Sequence, residues 1–257
     1  MAVAAEKSAI AEQRPRLMGE PKRDLSRLGT QVAHQENGVL LAPEVPGTSL
    51  RLWVQELLER KRLLALSSIC LLIALYADYR CGVYVTFRNT VKVPDLILDR
   101  LPSIDLSFLF TYGYMALIVG MFSYPVFRRV RMLHVVALQF SLLLMLRSVF
   151  MIFTHIGTPA GEVAVQFPGV FSRFYFENDM FFSGHTAMSF LGFYLFRHSS
   201  LRYVYLVGAI VMGIAALFMH VHYSVDVFAA FFMTYASYQM GNAFLRKLDP
   251  TYANEEA

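Results

Sequence analysis

Apolar residues in this chain gather into six long stretches separated by short polar connections. The stretches cover residues 63–79, 104–124, 132–153, 180–197, 201–219 and 224–244. Each is close to the roughly 20 residues that a helix needs to cross about 30 Å of hydrocarbon. A helix also satisfies its own backbone hydrogen bonds inside the lipid. The pattern therefore predicts an all-α fold, a polytopic membrane protein with six transmembrane helices.

Residues 1–50 lack this pattern. They are polar, carry charges of both signs and contain several prolines. Such a segment has too little apolar surface to form a core. The sequence thus predicts a flexible cytosolic tail at residues 1–50, a six-helix membrane domain at 51–247 and a short cytosolic tail at 248–257.

Composition supports a membrane protein and argues against a nucleic-acid partner. Of the 257 residues, 56% are hydrophobic and 16% are charged, whereas a soluble domain has about 25% charged residues. The formal net charge is +4. The basic residues stand in short clusters between apolar stretches, which is typical of cytosolic membrane loops and not of a nucleic-acid surface.

The basic clusters also predict the orientation in the membrane. They flank the first and last stretches and occupy the second and fourth connections: Arg60, Lys61, Arg62, Arg128, Arg129, Arg131, Arg197, Arg202, Arg246 and Lys247. Because basic loops stay in the cytosol, both termini are predicted to be cytosolic. The other connections then face the outer side, where the aromatic residues at 171–176 mark a membrane interface. The membrane would be that of the Golgi or the cell surface in a eukaryote, and the inner membrane in a bacterium.

Two histidines and a carboxylate stand at the ends of the fourth, fifth and sixth stretches. Ser183, Gly184 and His185 open the fourth stretch, while His222 and Asp226 lie at the head of the sixth. The two intervening helices, each roughly 27 Å long, form a hairpin that returns to the same membrane face. The histidines are therefore expected to meet.

These residue types suit phosphoryl transfer. His222 and Asp226 are four residues apart and share one side of a helix, if the helix has begun. The carboxylate then accepts a hydrogen bond from Nδ1 and leaves Nε2 free as a nucleophile. His185 is the candidate proton carrier. Gly184 allows close approach of a backbone, and a helix start offers N–H donors to a phosphate.

Simpler explanations exist for each residue alone. A single histidine at a membrane interface is often a polar anchor, and a histidine and a carboxylate four residues apart are also compatible with a metal pair. Asp226 at the head of a span favours function, because an ionisable residue there is costly. We expect catalysis without a metal or other cofactor. His220 is expected to point away, toward the surface.

Arg147 lies inside an otherwise apolar stretch, where an unpaired guanidinium is costly. It needs an anion, either a substrate phosphate or a structural partner such as Asp179, Glu162 or an aspartate of the first outer connection. Asp179 itself either supports His185 or caps the fourth helix.

Four short segments resemble motifs of the sphingomyelin synthase family, which belongs to the type 2 phosphatidic acid phosphatase superfamily. The segments, in the order and approximate spacing of that family, are Pro94-Asp95-x-x-x-Asp99, Arg147-x-x-x-Met151-x-x-Thr154, Asp179-x-x-x-Ser183-Gly184-His185-Thr186 and His222-Tyr223-Ser224-x-Asp226-Val227. The resemblance covers about residues 60–245. Glu177-Asn178 stand where the sphingomyelin synthases carry Cys-Gly, and Ser224 replaces a threonine. The first difference leaves the headgroup open.

The resemblance implies six spans, an active site in the outer leaflet, and transfer of a phospho-headgroup from a glycerophospholipid to ceramide with release of diacylglycerol. In that scheme His222 attacks phosphorus, Asp226 orients it and His185 moves the proton. The implied substrate-binding residues are Arg147, Asp179, Ser183, Gly184, Tyr223, Asp95 and Asp99. The partners are membrane lipids, with ceramide or diacylglycerol as acceptor, and a homo-oligomer is compatible with the sequence.

Two other functions compete with this one. The first is a lipid phosphatase of the same superfamily, but its usual basic motif ending in Arg-Pro is missing, since the Arg14-Pro15 pair lies in the tail. The second is a non-catalytic lipid-binding or transport protein, against which the intact set of His185, His222 and Asp226 argues.

Overall fold

The computed structural model describes residues 50–88, 90–165, 169, 176–249 and 252. Within these residues the chain forms seven α-helices and no β-strand. The helices are α1 Leu50–Glu59, α2 Lys61–Thr86, α3 Tyr114–Arg128, α4 Leu133–Phe153, α5 Gly184–Leu195, α6 Leu201–Phe218 and α7 Ser224–Leu248. The predicted all-α fold is therefore confirmed for the described part. The predicted tail and most of the aromatic cluster at 171–176 lie outside it.

In the described part of the chain, four helical segments are long and apolar enough to cross a membrane. They are Lys61–Thr86, Leu109–Arg128, Val130–Phe153 and Leu201–Phe218. They coincide with the first, second, third and fifth apolar stretches of the sequence. The second includes a π-helical turn before α3, and the third a 3₁₀ turn before α4. Their length and composition are those of a membrane protein.

The fourth apolar stretch forms a shorter helix than predicted. α5 begins at Gly184, where the Ser183-Gly184-His185 motif predicts a helix start, but it ends at Leu195, and its 12 residues rise about 18 Å. Ser183 has extended backbone angles and caps the helix by accepting a hydrogen bond from the Thr186 amide. Just before it, the Met180 carbonyl accepts a hydrogen bond from Thr154 Oγ1 at 3.2 Å. Met180 thus precedes the helix and contacts the residue that follows α4.

The sixth stretch forms a helix of sufficient length, but its composition is more polar than that of the four spans. The 25 residues of α7 include Thr234, Ser237 and Asn242, which are all buried inside the protein. Asn242 Oδ1 accepts a hydrogen bond from Gln139 Nε2 of α4 at 2.7 Å. Part of the polarity of α7 therefore serves contacts with neighbouring helices.

The helices pack in pairs around a shared core. α2 lies along α4, α5 lies along α6, and α7 contacts both α5 and α4. Gly192 of α5 touches the Tyr205 ring of α6 so closely that a Cβ atom there would lie 2.1 Å from the ring. The Tyr205 hydroxyl in turn donates to the Leu117 carbonyl of α3 at 2.9 Å. A residue without a side chain is thus required where the three helices meet.

The two ends of the helix bundle differ in character. At the basic end, Arg60 pairs with Asp249 (Nη1 to Oδ2, 2.5 Å) and Arg131 pairs with Glu56 (Nε to Oε1, 3.1 Å). The basic clusters that flank the helices lie at this end. The opposite end, called the site end, contains the last residues of α2, α4 and α6 and the first residues of α5 and α7.

Candidate active site

The starts of α5 and α7 are joined directly at the site end. The Ser183 amide donates to the Asp226 carbonyl at 3.1 Å. His185 is the second residue of α5, and Asp226 is the third residue of α7. The structure therefore places the two motifs side by side, as the hairpin predicts, although α5 is shorter than the predicted arm.

His222 and Asp226 face each other across the first turn of α7. His222 Nδ1 lies 3.5 Å from Asp226 Oδ2, which is ion-pair distance without the geometry of a hydrogen bond. Asp226 is fully buried and His222 is 5% exposed, so the pair is screened from water. Such contacts are often long before substrate binds. The arrangement is compatible with a carboxylate that orients the imidazole.

His222 and Asp226 are not brought together by a shared helical face, as the sequence predicts. α7 begins at Ser224, so His222 precedes the helix and does not share a helical face with Asp226. Asp226 Oδ2 instead accepts a hydrogen bond from the Tyr223 amide at 3.0 Å, as an acidic residue in a first helical turn commonly does. That capping bond turns the carboxylate back toward residue 222.

His185 lies between two aromatic rings. Its ring centroid is 4.1 Å from that of Phe110 and 4.3 Å from that of Tyr114. Both aromatic residues come from the π-helical turn Leu109–Gly113 and the residue after it. Sequence patterns miss the two aromatic residues, because nothing in a uniformly apolar stretch marks a π-helical turn, which often occurs at functional sites.

Arg147 is held by two carboxylates. Its guanidinium donates to Asp78 Oδ1 at 2.9 Å and also to Asp179 Oδ2. A Cβ atom on Gly184 would lie 2.7 Å from Arg147 Nε, so the guanidinium lies against the backbone beside His185. Of the two explanations for Arg147, the structural partner is present, and Asp179 contacts Arg147. Asp78 is an additional partner whose position inside the apolar part of α2 is the signal that could have identified it.

Asp95 and Asp99 connect the segment after α2 to the start of α7. Asp95 Oδ2 accepts hydrogen bonds from the Ser224 amide at 2.7 Å and from Ser224 Oγ at 2.8 Å. Asp99 Oδ2 accepts from the Asp95 amide at 3.0 Å. Burial raises the pKa of Asp95, but its hydrogen bonds, from the Leu98 amide and Ser224 among others, lower it more, so the pKa is below the usual value. These aspartates are placed to support α7, and substrate binding by them stays a prediction.

Tyr223 and Asn178 connect the same end of the bundle through their side chains. The Tyr223 hydroxyl donates to the Gly157 carbonyl at 2.9 Å and accepts from the Val93 amide at 3.2 Å, and burial raises its pKa. Asn178 Oδ1 accepts from the Thr158 amide at 3.2 Å. These hydrogen bonds join the first, third and fifth connections at the end of the bundle that carries the two histidines.

His220 is partly exposed, in keeping with the predicted surface position, and its ring also lies against two backbone carbonyl oxygens. Its Nδ1 lies 2.8 Å from the Ala160 carbonyl oxygen and its Nε2 lies 3.2 Å from that of Leu101. The backbone at His220 has φ +54°, which turns the chain just after α6. This turn places the ring between two connections, and His220 therefore has a structural role there.

The site as a whole combines a histidine with a carboxylate at Nδ1, a second histidine and little contact with water. Such a set can form a covalent bond to an electrophile and move a proton. Neither a scan of protein-family models nor a search of curated proteins finds a match to this chain.

Proposed function

We propose that this chain is a lipid phosphotransferase of the sphingomyelin synthase type. It moves a phospho-headgroup from a glycerophospholipid to ceramide and releases diacylglycerol. The observation that carries the proposal is the direct hydrogen bond between the starts of α5 and α7, which brings His185 to the same end of the bundle as the His222 and Asp226 pair. A two-step transfer needs a nucleophile with a stabilised imidazolium and a second group that exchanges the proton.

In the first step, His222 Nε2 attacks phosphorus and the bond between phosphorus and the diacylglycerol oxygen breaks. The bonding electrons stay on that oxygen, which takes a proton from His185. The products are diacylglycerol and a phosphohistidine. Asp226, beside Nδ1, stabilises the positive charge that forms on the His222 ring.

In the second step, the primary hydroxyl of ceramide gives its proton to His185 while its oxygen attacks phosphorus. The bond between His222 Nε2 and phosphorus breaks, and its electrons return to the nitrogen. His185 is protonated again and the cycle is complete. The burial of His222 and Asp226 favours a lipid hydroxyl over water as acceptor.

The backbone at Asn178 supports the family resemblance. Asn178 has φ +58°, a left-handed conformation that glycine adopts freely and asparagine more readily than most residues. The sphingomyelin synthases carry glycine at the matching position. Asparagine at position 178 can therefore adopt the backbone conformation that glycine has in the sphingomyelin synthases. Of the two differences from the Cys-Gly pair, the exposed Glu177 is the one that changes the chemistry near the site.

The proposal includes six membrane spans, with both termini in the cytosol and the site in the outer leaflet. α7 has 25 residues and is long enough to cross. α5 rises only about 18 Å, so the residues on both sides of it must complete the fourth crossing. The location of the basic clusters at the opposite end supports the orientation.

The test is a reconstituted transfer assay. Purified full chain in liposomes with phospholipid and ceramide is expected to form a phosphosphingolipid and diacylglycerol in equal amounts. His185→Ala and His222→Ala are expected to abolish both products. His155→Ala is the matched control, because His155 is exposed at the same end and lies outside the proposed site.

Other outcomes would favour the competing functions. Release of inorganic phosphate from phosphatidic acid, independent of ceramide, would identify a phosphatase. Retained lipid binding without either product would identify a non-catalytic protein. Loss of activity in His155→Ala equal to that in His222→Ala would remove the support for the assigned residues.

A further inference from the structure

A shallow groove on the outward face of α2 is separate from the histidine site. It is lined by Arg80, Val83, Tyr84, Phe87 and Arg88 and has a volume of about 390 Å³. The opposite face of α2 points into the protein, where Gly82 and Val85 are buried. The groove therefore faces the lipid.

The groove carries two positive charges and no negative one. Among the described residues, no acidic side chain lies within ion-pair distance of Arg80 or Arg88, in contrast to Arg147. The Arg88 guanidinium lies 4.1 Å from the centre of the Tyr84 ring, which holds it over the groove. Two guanidiniums without a partner favour an anion, and arginine binds phosphate in particular.

The depth of the groove in the membrane suits a lipid headgroup. α2 has 26 residues and a length of about 39 Å, whereas hydrocarbon is about 30 Å thick. Its last two turns therefore reach the headgroup region. Arg80 lies six residues, or about 9 Å, before the end of α2, whereas Arg88 follows that end, and the long Arg80 side chain can extend upward toward the same level.

An apolar strip continues from the groove toward the middle of the membrane. Ile69, Ile73 and Tyr76 follow at helical spacing on the same face as Arg80 and are more than half exposed, at 54%, 56% and 65%. An acyl chain can lie along this strip while the headgroup remains beside the arginines. A soluble phosphate has no acyl chain, so this strip would not add to its binding.

We propose that the α2 groove binds a net-anionic glycerophospholipid, with its phosphate between Arg80 and Arg88 and one acyl chain along the apolar strip. The strongly positive groove discriminates against a zwitterionic lipid, because a choline group would bring a further positive charge. This site lies apart from His185 and His222, and it does not depend on the proposed transfer reaction.

Native mass spectrometry of the purified full chain tests the proposal. Protein in detergent is titrated with phosphatidylglycerol or with phosphatidylcholine of the same acyl chains. We expect one phosphatidylglycerol to be retained preferentially, and millimolar inorganic phosphate not to displace it. Because a basic residue near a membrane surface contributes about 1 kcal/mol, which is roughly fivefold, Arg80→Gln or Arg88→Gln should each weaken binding about fivefold and the double variant about 25-fold.

Lys92→Gln is the matched control, since Lys92 is an exposed cation at the same end but outside the groove. It should retain the lipid as the wild type does, and all variants should unfold at the same temperature because the changed residues are exposed. Equal retention of the two lipids by the wild type would overturn the proposal. So would unchanged binding by the double arginine variant, or a loss in Lys92→Gln as large as in Arg88→Gln.

Discussion

Single residues of the site differ in what each can do chemically. His222 has a carboxylate beside Nδ1, whereas His185 lies between the rings of Phe110 and Tyr114. A carboxylate stabilises the imidazolium that forms when Nε2 bonds to phosphorus. Aromatic rings hold His185 in position but provide no fixed charge. In the proposed reaction, this difference favours His222 as the nucleophile and His185 as the group that transfers the proton.

A donor with a good leaving group separates these two roles. With a p-nitrophenyl phosphodiester, the leaving oxygen needs no proton, so His185→Ala should retain a burst of about one nitrophenol per protein. His222→Ala should show no burst, because no phosphohistidine can form. Asp226→Asn should lower turnover by roughly 10⁴-fold while preserving the fold, as expected when the wrong tautomer is stabilised. Rapid-quench kinetics measure the burst.

His155→Ala serves as the control for the burst and should behave as the wild type. A burst that survives in His222→Ala and disappears in His185→Ala would reverse the two roles. Because the residues act as one unit, the double variant His185→Ala/His222→Ala should be no slower than His222→Ala alone.

The buried cluster around Arg147 predicts an order of stabilities. Arg147→Gln leaves Asp78 and Asp179 without their common cation and should lower the free energy of unfolding by about 3–5 kcal/mol. Asp78→Asn or Asp179→Asn keeps one ion pair and should cost less, about 1–3 kcal/mol. Denaturant titration in mixed micelles measures these values.

Arg128→Gln is the control for this series, because Arg128 is exposed, and its effect should be within about 0.5 kcal/mol. If Arg147→Gln proved no more destabilising than the aspartate variants, the guanidinium would not be primarily structural. That result would favour the alternative in which Arg147 binds the substrate phosphate.

At the scale of helices, the start of α7 depends on a carboxylate from a distant segment. Asp95 accepts two hydrogen bonds from Ser224, the first residue of α7. A carboxylate at this place satisfies a backbone N–H group that has no partner within the helix and interacts favourably with the helix dipole. The position of Asp226, and with it that of His222, follows from where α7 begins.

Replacement of this cap should destabilise the protein in a pH-dependent way. Asp95→Ala should cost about 1–2 kcal/mol at neutral pH. The hydrogen bonds of Asp95 lower its pKa in the folded state in spite of burial. Its contribution is therefore complete above the ordinary value of 3.8 and is lost as the pH falls through the lower folded pKa. Thermal unfolding of wild type and variant between pH 7 and about 2.5 should show the difference shrinking only at the acidic end.

Asp105→Ala is the matched control, because Asp105 is exposed and bonds only locally, to Ser107. It should destabilise the protein less than Asp95→Ala does. A difference between wild type and Asp95→Ala that grows on acidification would contradict the assigned direction of the pKa.

At the scale of the whole molecule, the basic clusters lie at one end of the bundle and the histidine site lies at the other. This distribution predicts that the site end faces the outer side of the membrane. Single cysteines at Leu96, which is 74% exposed at the site end, and at Arg128, at the basic end, test it when Cys70 and Cys81 are replaced by alanine. A membrane-impermeant maleimide applied to intact cells should label position 96 only.

Labelling of both positions after permeabilisation is the control for accessibility. Labelling at 128 and not at 96 in intact cells would invert the orientation and place the site in the cytosol.

The amino-acid sequence predicts the helical fold and six apolar spans, and four of those spans are confirmed as helices long and apolar enough to cross a membrane in the described part of the chain. Both depend on local information, since the length of an apolar stretch decides whether a helix can span hydrocarbon. The Ser183 cap also places the start of α5 correctly, because serine is a common residue before the first turn of a helix. Hydropathy alone overestimates the length of α5, since apolar residues continue on both sides of the helix.

The contacts between residues far apart in the sequence depend on how the helices pack against each other. Arg147 and Asp78 are 69 residues apart, and Asp95 and Ser224 are 129 residues apart. Each polar group in a membrane span needs a partner, and the sequence offers several partners of suitable charge. Helix packing selects among them, because it sets which side chains share one depth and one face. The contact of His185 with Phe110, through a π-helical turn, was decided in the same way.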